Sequence, residues 1–353
     1  MGYKKVDKTV SFAELSLLSS IENNRSVKMM ERINKSVNWK KIEALLKEHY
    51  HIGQSHEGAD AYSPLMLLKC MLLQKWFHIP SDPELENQIN DRISFKKFLD
   101  LSLDKPSPDH STFSRFRSRL SKEAMIQLNN EILLQFAHKG LSINEGIAID
   151  ARLVKSASRA MSNDDMRKLK EKSNTPEGNV DKNGNPLKFS RDLESDWTIK
   201  NDTPHYGLKE HASVDVQSGL VLATTLTPAS EHDSKYLPYL TIASCHTKDP
   251  IETVYGDKGY YGHPNRAFLS MNGIKDGIMR KDTTTAKLTE LEIKRNKEIS
   301  KKRYIVEQYF GLSHLHDGAY RARFTTILKN IWDTMCRQMA FNMFRGSKLL
   351  AHA

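Results

Sequence analysis

The sequence predicts an α/β domain over residues 141–353, preceded by an all-α domain over residues 1–140. Apolar residues recur at helical spacing through the first region, whereas short β-like runs separated by turns begin at about residue 141. Alternation of strands with helices is typical of a sheet that packs helices on its faces. The hydrophobic fraction of 39% is enough for a sizeable core.

In the N-terminal region, two segments carry the helical pattern most clearly. Trp39, Ile42 and Leu46 share one helical face in NWKKIEALLKEHY. Apolar residues follow the same spacing in SPLMLLKCMLLQKWF, where Pro64 after Ser63 marks a capped helix start. We therefore expect this region to be built from helices.

A further helix is predicted in SPDHSTFSRFRSRL, and its two faces differ in chemistry. Phe113 and Phe116 lie on one face, while Arg115 and Arg119 lie on another. This pattern fits a helix that contacts DNA through its arginines. The alternative is a helix packed through its phenylalanines whose basic face is merely solvated.

Five segments in the second domain each predict a strand: EGIAIDARLV, YGLKEHASVDV, GLVLATTLTP, ETVYGDKGY and KDGIMR. Helices are predicted after the third, fourth and fifth of them, in DSKYLPYLTIAS, HPNRAFLSMNG and TELEIKRNKEISKKRYIVEQYFGLSHLH. A final amphipathic helix, ILKNIWDTMCRQMAFNMFRGSKLL, ends the sequence. A meander of three strands followed by alternating helices and strands indicates a layered α/β domain.

A polar insert separates the first two predicted strands over roughly residues 156–195. Its sequence KLKEKSNTPEGNVDKNGNPLKFSRD lacks apolar periodicity and contains the turn-prone NGNP. We interpret it as a flexible loop rather than a domain.

Composition narrows the classes of function. The formal net charge is +10 with a pI near 9.2, which suits a polyanionic partner such as nucleic acid, although a merely basic soluble protein has the same balance. The three cysteines are scattered without CxxC spacing, so neither a disulfide framework nor a cysteine zinc site is indicated. Because no signal-peptide core and no apolar run of about 18 residues is present, we expect a cytoplasmic protein without a membrane partner.

Three acidic residues lie where an α/β sheet presents groups to a ligand. Asp150 ends the apolar run IAID, Asp257 ends TVYGD between two glycines, and Glu307 lies in the helical segment KKRYIVEQYFG. If the first and fourth strands are neighbours and this helix packs across them, the carboxylates converge. Oxygen ligands suit Mg²⁺, and two such ions about 4 Å apart can promote an in-line phosphoryl displacement.

Each of the three also has a structural alternative. Asp150 can cap the following turn, Asp257 can begin an Asx turn, and Glu307 can pair with Arg303 one helical turn earlier. Taken together and in this strand order, the three carboxylates favour a metal site.

Several blocks of the sequence, in order, resemble one family. YGLKEHASVDVQSGLVLATTLTPASEHDS, VYGDKGYYG and RYIVEQYFG resemble the catalytic motifs of the DDE transposases of bacterial insertion sequences, specifically the insertion-sequence-five type. SPLMLLKCMLLQ and SPDHSTFSRFR resemble the helical domain usually joined to them. The resemblance covers nearly the whole chain.

The resemblance implies a ribonuclease-H-like mixed sheet flanked by helices, in which Asp150, Asp257 and Glu307 bind two Mg²⁺ ions that Mn²⁺ can replace. Family members cleave a phosphodiester at the terminal inverted repeats and use the freed 3′-hydroxyl to attack target DNA. The implied partners are double-stranded DNA and further copies of the chain in a homo-oligomer, associated with the nucleoid. Two alternatives remain: a non-transposing nuclease with the same site, and a DNA-binding regulator.

The glutamate helix departs from the family pattern. The family's Tyr, Arg, Glu and Lys fall here on Ser300, Arg303, Glu307 and His314, so the resemblance makes Arg303 and His314 DNA contacts. A free histidine side chain is mostly neutral near pH 7, whereas lysine carries a permanent charge for phosphate. Tyr304, one helical turn after Ser300, can offset the missing tyrosine.

The element SDWTIKND also matches the family. We assign Trp197 to stacking on a displaced base and Lys200 to phosphate attraction, with a tryptophan that closes the sheet edge as the alternative. Lys258, next to Asp257, completes the expected DNA contacts together with Arg115 on the best candidate for a helix that reads the element ends.

Overall fold

The computed structural model describes residues 2–4, 12–54, 60–143, 145–160, 192–245, 250–283 and 286–352, together with residues 164, 167 and 171. Helices fill the N-terminal part of these described residues: α1 (Phe12–Ser20), α2 (Arg25–Ser36), α3 (Trp39–His49), α4 (Pro64–Trp76), α5 (Asp82–Asp91), α6 (Ile93–Leu99), α7 (His110–Arg119) and α8 (Lys122–His138).

Local sequence explains where these helices begin. Asn38 and Asp109 cap α3 and α7, since their side chains accept hydrogen bonds from backbone N–H groups in the first turn. Pro64 occupies the first turn of α4, where its missing N–H costs nothing. Phe113 and Phe116 of α7 are fully buried, so the predicted apolar face of this helix is confirmed.

The second half of the chain is built on one mixed sheet. Its strands are β1 (Gly146–Lys155), β2 (Asp196–Lys200), β3 (Thr203–Asp215), β4 (Val221–Pro228), β5 (Thr253–Gly256) and β6 (Lys275–Ile278). Strands β1, β3 and β4 form an antiparallel meander, and β5 and β6 extend the sheet in parallel from β1. This order, with helices against the sheet, confirms the predicted ribonuclease-H-like fold class.

Strand β2 was not predicted as a strand. Four of its five residues are exposed, so it lacks the alternation of buried and exposed positions that marks a strand in sequence. Pairing with the first half of β3 holds it in the sheet instead, with Trp197 opposite Tyr206.

Four further α-helices lie among the described residues of this half: α9 (Leu237–Ala243), α10 (His263–Met271), α11 (Glu290–Asp317) and α12 (Ile327–Leu350). Thr289 and Glu292 form a reciprocal capping box that fixes the start of α11. Helix α11 packs on β1, β3 and β5, and α12 packs on β4, α2, α4 and α8.

The two faces of the sheet have different cores. Ile147 and Ile149 of β1 join a large hydrophobic cluster that continues through Met339 of α12 to Met30 of α2. Ala148 points to the other face, where it packs beneath Val306 of α11. Because alanine is small, α11 can approach the sheet closely on the face that also carries Asp150, two residues further along β1.

The helical region therefore shares its core with the sheet through α12. Helix α8 ends at His138 and β1 begins at Gly146, on either side of the predicted boundary at residues 140 and 141. Whether the two regions act as separate domains stays a prediction.

The predicted flexible insert at residues 156–195 falls largely outside the described residues, although Ser156 and Asp192 at its two ends are joined by a 2.8 Å hydrogen bond. In the part of the chain that is described, the helices are too short or too polar to cross a membrane.

A pair of glycine substitutions tests the packing of α12. An added Cβ at buried Gly346 would lie 2.4 Å from the Phe136 ring of α8, whereas one at exposed Gly311 of α11 would meet nothing within 4 Å. We expect Gly346→Ala to lower the free energy of unfolding by about 1–3 kcal/mol through overpacking. The matched change Gly311→Ala should raise it by about 1 kcal/mol, because alanine is the better helix former. Chemical denaturation measures both, and equal effects would contradict this packing.

Candidate active site

The sheet brings two of the predicted carboxylates to one edge. Strands β1 and β5 run in parallel, with Ala148 opposite Tyr255 as the last pair. Asp150 follows two residues later on β1, and Asp257 follows directly after β5. Both residues lie two positions beyond this last pair, so they lie at the same end of the parallel ladder.

Asp257 is held in place by the turn that it begins. Its Oδ1 accepts a hydrogen bond of 2.8 Å from the backbone N–H of Gly259, and the side chain caps a short 3₁₀ turn, Lys258–Tyr260. A Cβ at Gly259 would lie only 2.9 Å from that oxygen, so glycine permits the close approach. The Asx turn raised as a structural alternative is thus present, and it fixes the carboxylate at the strand end.

Helix α11 supplies the third carboxylate together with a cation. Arg303 is buried, and its Nη2 lies 2.9 Å from Asp150 Oδ2 and 3.8 Å from Glu307 Oε1. Ala151 donates its backbone N–H to the other oxygen of Asp150 at 2.8 Å. One guanidinium therefore joins the strand carboxylate to the helix carboxylate, and the Glu307 side chain remains 53% exposed.

The charges of this cluster affect one another. Burial raises the pKa of the Asp150 carboxyl to about 6, the Arg303 cation opposes this shift, and the negative charges of Asp257 and Glu307 add to it. Burial also raises the pKa of Tyr260 beneath the site, again with help from Asp150 and Asp257. The three carboxylates thus lie close enough to repel one another, and Arg303 partly offsets that repulsion.

The donor set has the chemistry of a site for a hard divalent cation, because all three side chains offer carboxylate oxygens. Two of them already share one positive group, the guanidinium of Arg303. Among the residues that the structure describes, no three His, Cys, Asp or Glu side chains are close enough to enclose a metal ion. Binding an ion with all three would therefore require them to draw closer together.

The predicted DNA contacts on α7 lie on its outer side. Arg115 and Arg119 are both exposed, opposite the buried phenylalanines. Arg115 donates to the hydroxyl of Ser111 at 2.5 Å, and Arg119 lies beside Tyr50. Their positions leave DNA contact by this helix a prediction, compatible with the exposed basic face.

Trp197 and Lys200 lie on β2 at the edge of the sheet. The Trp197 ring packs on Tyr206 at 5.3 Å between centroids and stays 39% exposed. Lys200 is exposed, as is the neighbouring Ile199. Both the sheet-edge alternative and a stacking role for Trp197 are compatible with this position.

The remaining predicted contacts flank the carboxylates. Lys258 is exposed next to Asp257, and His314 is exposed on α11 with its ring 5.3 Å from that of Tyr320. Arg303 differs from them, because it is buried against Asp150. Contact between Arg303 and DNA stays a prediction, and the observed contact of its guanidinium is with the carboxylates.

Sequence reasoning missed a buried ion pair next to this site. Arg152, two residues after Asp150, donates to Glu210 of β3 through Nε at 2.9 Å. Burial alone would raise the pKa of Glu210, but the Arg152 and Arg337 guanidiniums hold it below its usual range. The only signal for this ion pair in the sequence was an arginine two positions from Asp150. The segments ARLV and LKEH otherwise have the pattern of strands whose charged residues face solvent.

Comparison with known proteins identifies the family. Residues 144–318 match the family model described as a transposase DDE domain, and residues 16–119 match one described as a transposase domain (DUF772). The transposase for insertion sequence element IS1106 of Neisseria meningitidis serogroup B is 31% identical over 246 residues, covering 68% of this chain and 79% of that protein. The chain belongs to the DDE transposases of insertion sequences. No solved structure matches it.

Membership of the DDE transposases settles the coarse function. The chain is a transposase, its partner is DNA, and the family implies dependence on a divalent metal ion. All three carboxylates lie inside the matched DDE domain. The insertion-sequence-five type stays a prediction.

A double-mutant cycle in metal-free buffer tests the contact between Arg303 and Asp150. Arg303→Met should lower the free energy of unfolding by about 3–5 kcal/mol, because it leaves a partly buried carboxylate without its cation. Asp150→Asn in the same chain should recover part of this loss, giving a coupling free energy of about 1–3 kcal/mol.

The matched control is Lys301→Met on the same helix. Lys301 pairs with Glu298 at 2.7 Å, but both side chains are exposed, so little change in stability is expected. A coupling near zero between Arg303 and Asp150 would contradict the described geometry.

Proposed function

We propose that this transposase cleaves phosphodiesters at the terminal inverted repeats of its insertion sequence and joins the freed 3′-hydroxyl ends to target DNA. Asp150, Asp257 and Glu307 would hold two divalent ions, with Mg²⁺ as the expected metal and Mn²⁺ as a substitute. The observation that supports this most is the arrangement of the site: Asp150 and Asp257 follow neighbouring parallel strand segments, and Glu307 lies on a helix that Arg303 joins to Asp150.

Held by these three carboxylates, divalent ions would supply activation of the attacking oxygen and stabilisation of the charge on the leaving oxygen. The residues of the chain prepare that chemistry. Asp150 is oriented by Arg303 and by the N–H of Ala151, and Asp257 is oriented by Gly259. Because Glu307 is largely exposed, a DNA backbone can reach this side of the cluster.

DNA binding would use surfaces on both halves of the chain. The exposed arginines of α7 would contact the element ends, in keeping with the N-terminal region as an end-binding domain. Exposed Lys258 would attract a phosphate next to Asp257, and exposed Lys200 would attract one at the β2–β3 hairpin, further along the sheet. Since two element ends must be joined to one target, a homo-oligomer on DNA is part of the proposal.

Replacing Asp257 by Asn tests the metal-site proposal. The amide keeps the shape of the side chain but loses its charge, so cleavage of a terminal-repeat substrate should fall at least about 100-fold. Binding to the same DNA should stay within about twofold of wild type, since an uncharged side chain removes no phosphate contact. Gel-shift and strand-cleavage measurements on the purified protein report the two quantities.

Glu252→Gln is the control, because Glu252 is an exposed carboxylate that precedes the same strand, β5, at its other end. It should cleave normally. Undiminished cleavage by Asp257→Asn would exclude the metal site. DNA binding by wild type without any cleavage would favour the regulator, and cutting by wild type without joining would favour the nuclease.

Replacing His314 by Lys tests the predicted contact of this position with the DNA ends. His314 is exposed on α11, so His314→Lys should add one phosphate contact and steepen the dependence of log affinity on log salt by about one. The control is Leu315→Lys, which adds the same charge at an exposed neighbour that points in another direction. If both variants behave alike, position 314 has no specific contact with DNA.

A further inference from the structure

A fourth carboxylate, Glu210 of β3, is fully buried two residues from Ala212, the strand partner of Asp150. It receives hydrogen bonds from side chains on three other elements. Arg152 of β1 donates at 2.9 Å, Tyr309 of α11 donates through its hydroxyl at 3.1 Å, and Arg337 of α12 donates at 3.3 Å. One carboxylate thus connects β1 and α11, two of the elements that carry the proposed catalytic side chains.

The register of the sheet places this contact close to Asp150. Arg152 lies directly opposite Glu210 in the β1–β3 ladder, and it shares a sheet face with Asp150 because side chains alternate along a strand. The Arg152 guanidinium also donates at 3.0 Å to the carbonyl of Phe310, and its carbon lies 5.0 Å from the centre of the Phe310 ring. Arg152 therefore contacts the strand partner and the helix at once.

Near its start, helix α11 is attached to β6 through Arg295, which donates to the backbone carbonyls of Asp276 and Ile278. Two further attachments to the sheet lie closer to Glu307. The first is the contact of Arg303 with Asp150. In the second, Tyr309 contacts Glu210, and Phe310 contacts Arg152. Glu307 lies between these attachments. Attachments on both sides of Glu307, about 10 Å apart along the helix axis, restrict the rotation and height of this part of the helix more than contacts on one side alone.

Stability is a poor explanation for such a cluster. The free energy needed to remove carboxylates and guanidiniums from water offsets much of the attraction between them. Apolar side chains of the same size often hold elements together at least as well. What directional hydrogen bonds add is a defined geometry between the elements.

We propose that Glu210 is a positioning residue for transposition, which fixes α11 against β1 so that Glu307 stands opposite Asp150. This inference rests on the proposed function of the three carboxylates. Glu210 contacts neither DNA nor metal in this role, and it acts through Arg152 and Tyr309.

The test uses the full-length variant Glu210→Gln and follows four quantities: thermal stability, binding of terminal-repeat DNA, Mn²⁺ affinity by electron paramagnetic resonance, and cleavage rate. Loss of a residue that orients metal ligands typically weakens metal affinity or activity by about 10-fold to 100-fold. We expect Mn²⁺ affinity and cleavage to fall by that factor while DNA binding stays at the wild-type level.

Asp333→Asn is the matched control. Asp333 is a buried carboxylate of the same ion network, and it contacts Lys75, Arg323 and Arg337 rather than β1 or α11. It should lower the thermal stability as Glu210→Gln does but leave Mn²⁺ affinity and cleavage unchanged. Equal losses of Mn²⁺ affinity in both variants would reduce Glu210 to a structural role and overturn the inference.

Two further variants complete the test. Tyr309→Phe removes only one hydroxyl and keeps the ring packing, so this variant should fold even if Glu210→Gln does not. It should weaken Mn²⁺ binding by a smaller factor than Glu210→Gln. Normal Mn²⁺ affinity in this variant would overturn the inference. Asp257→Asn separates the two proposals. If Asp257→Asn loses cleavage while a folded Glu210→Gln keeps wild-type Mn²⁺ affinity and cleavage, only the positioning role fails. If Asp257→Asn cleaves normally, the proposed function itself fails.

Discussion

The contact between Asp150 and Arg303 is the interaction on which the rest of the site depends. Three carboxylates in one place repel one another, and burial makes the charge on Asp150 harder to keep. A buried guanidinium 2.9 Å from Asp150 and 3.8 Å from Glu307 offsets both costs. Because Arg303 lies one turn before Glu307, the same contact decides where the third carboxylate stands above the sheet.

The composition of the sheet face explains why α11 can lie where it does. Ala148 and Ala212 leave room beneath Val306, and the polar residues further along β1 then meet the helix. The opposite face of β1 belongs to the main core, which α12 shares with the N-terminal helices. Lys75 of α4 pairs with Asp333 of α12 at 2.6 Å, and Asp333 contacts Arg337, which reaches Glu210. Apolar and polar contacts therefore both connect the expected end-binding region to the catalytic sheet.

Much of this arrangement could be predicted from the sequence, because its signals are local. Asp150 and Asp257 each end an apolar run of sequence, and Glu307 lies in a helix whose start is marked by a capping box. Strand β2 could not be predicted, because pairing with β3 rather than its own pattern makes it a strand.

The burial of Arg303 and Glu210 was equally hidden in sequence. Arg303 stands in the basic run KKRY, and Glu210 stands in LKEH, where charged residues are normally solvated. The packing of α11 on the sheet, and for Glu210 also that of α12, removes them from water, and this packing is a property of the whole domain. Charged residues beside catalytic ones are thus the part of such a site that sequence reasoning sees least well.

The most direct test is an excision and joining assay in cells, with donor DNA bounded by the sequences that flank this reading frame. Wild type is compared with Asp150→Asn at equal protein levels. The proposed chemistry predicts that wild type excises the donor and joins its ends to target DNA, whereas Asp150→Asn does neither although it still binds the ends. Movement of the donor by Asp150→Asn at the wild-type frequency would contradict it.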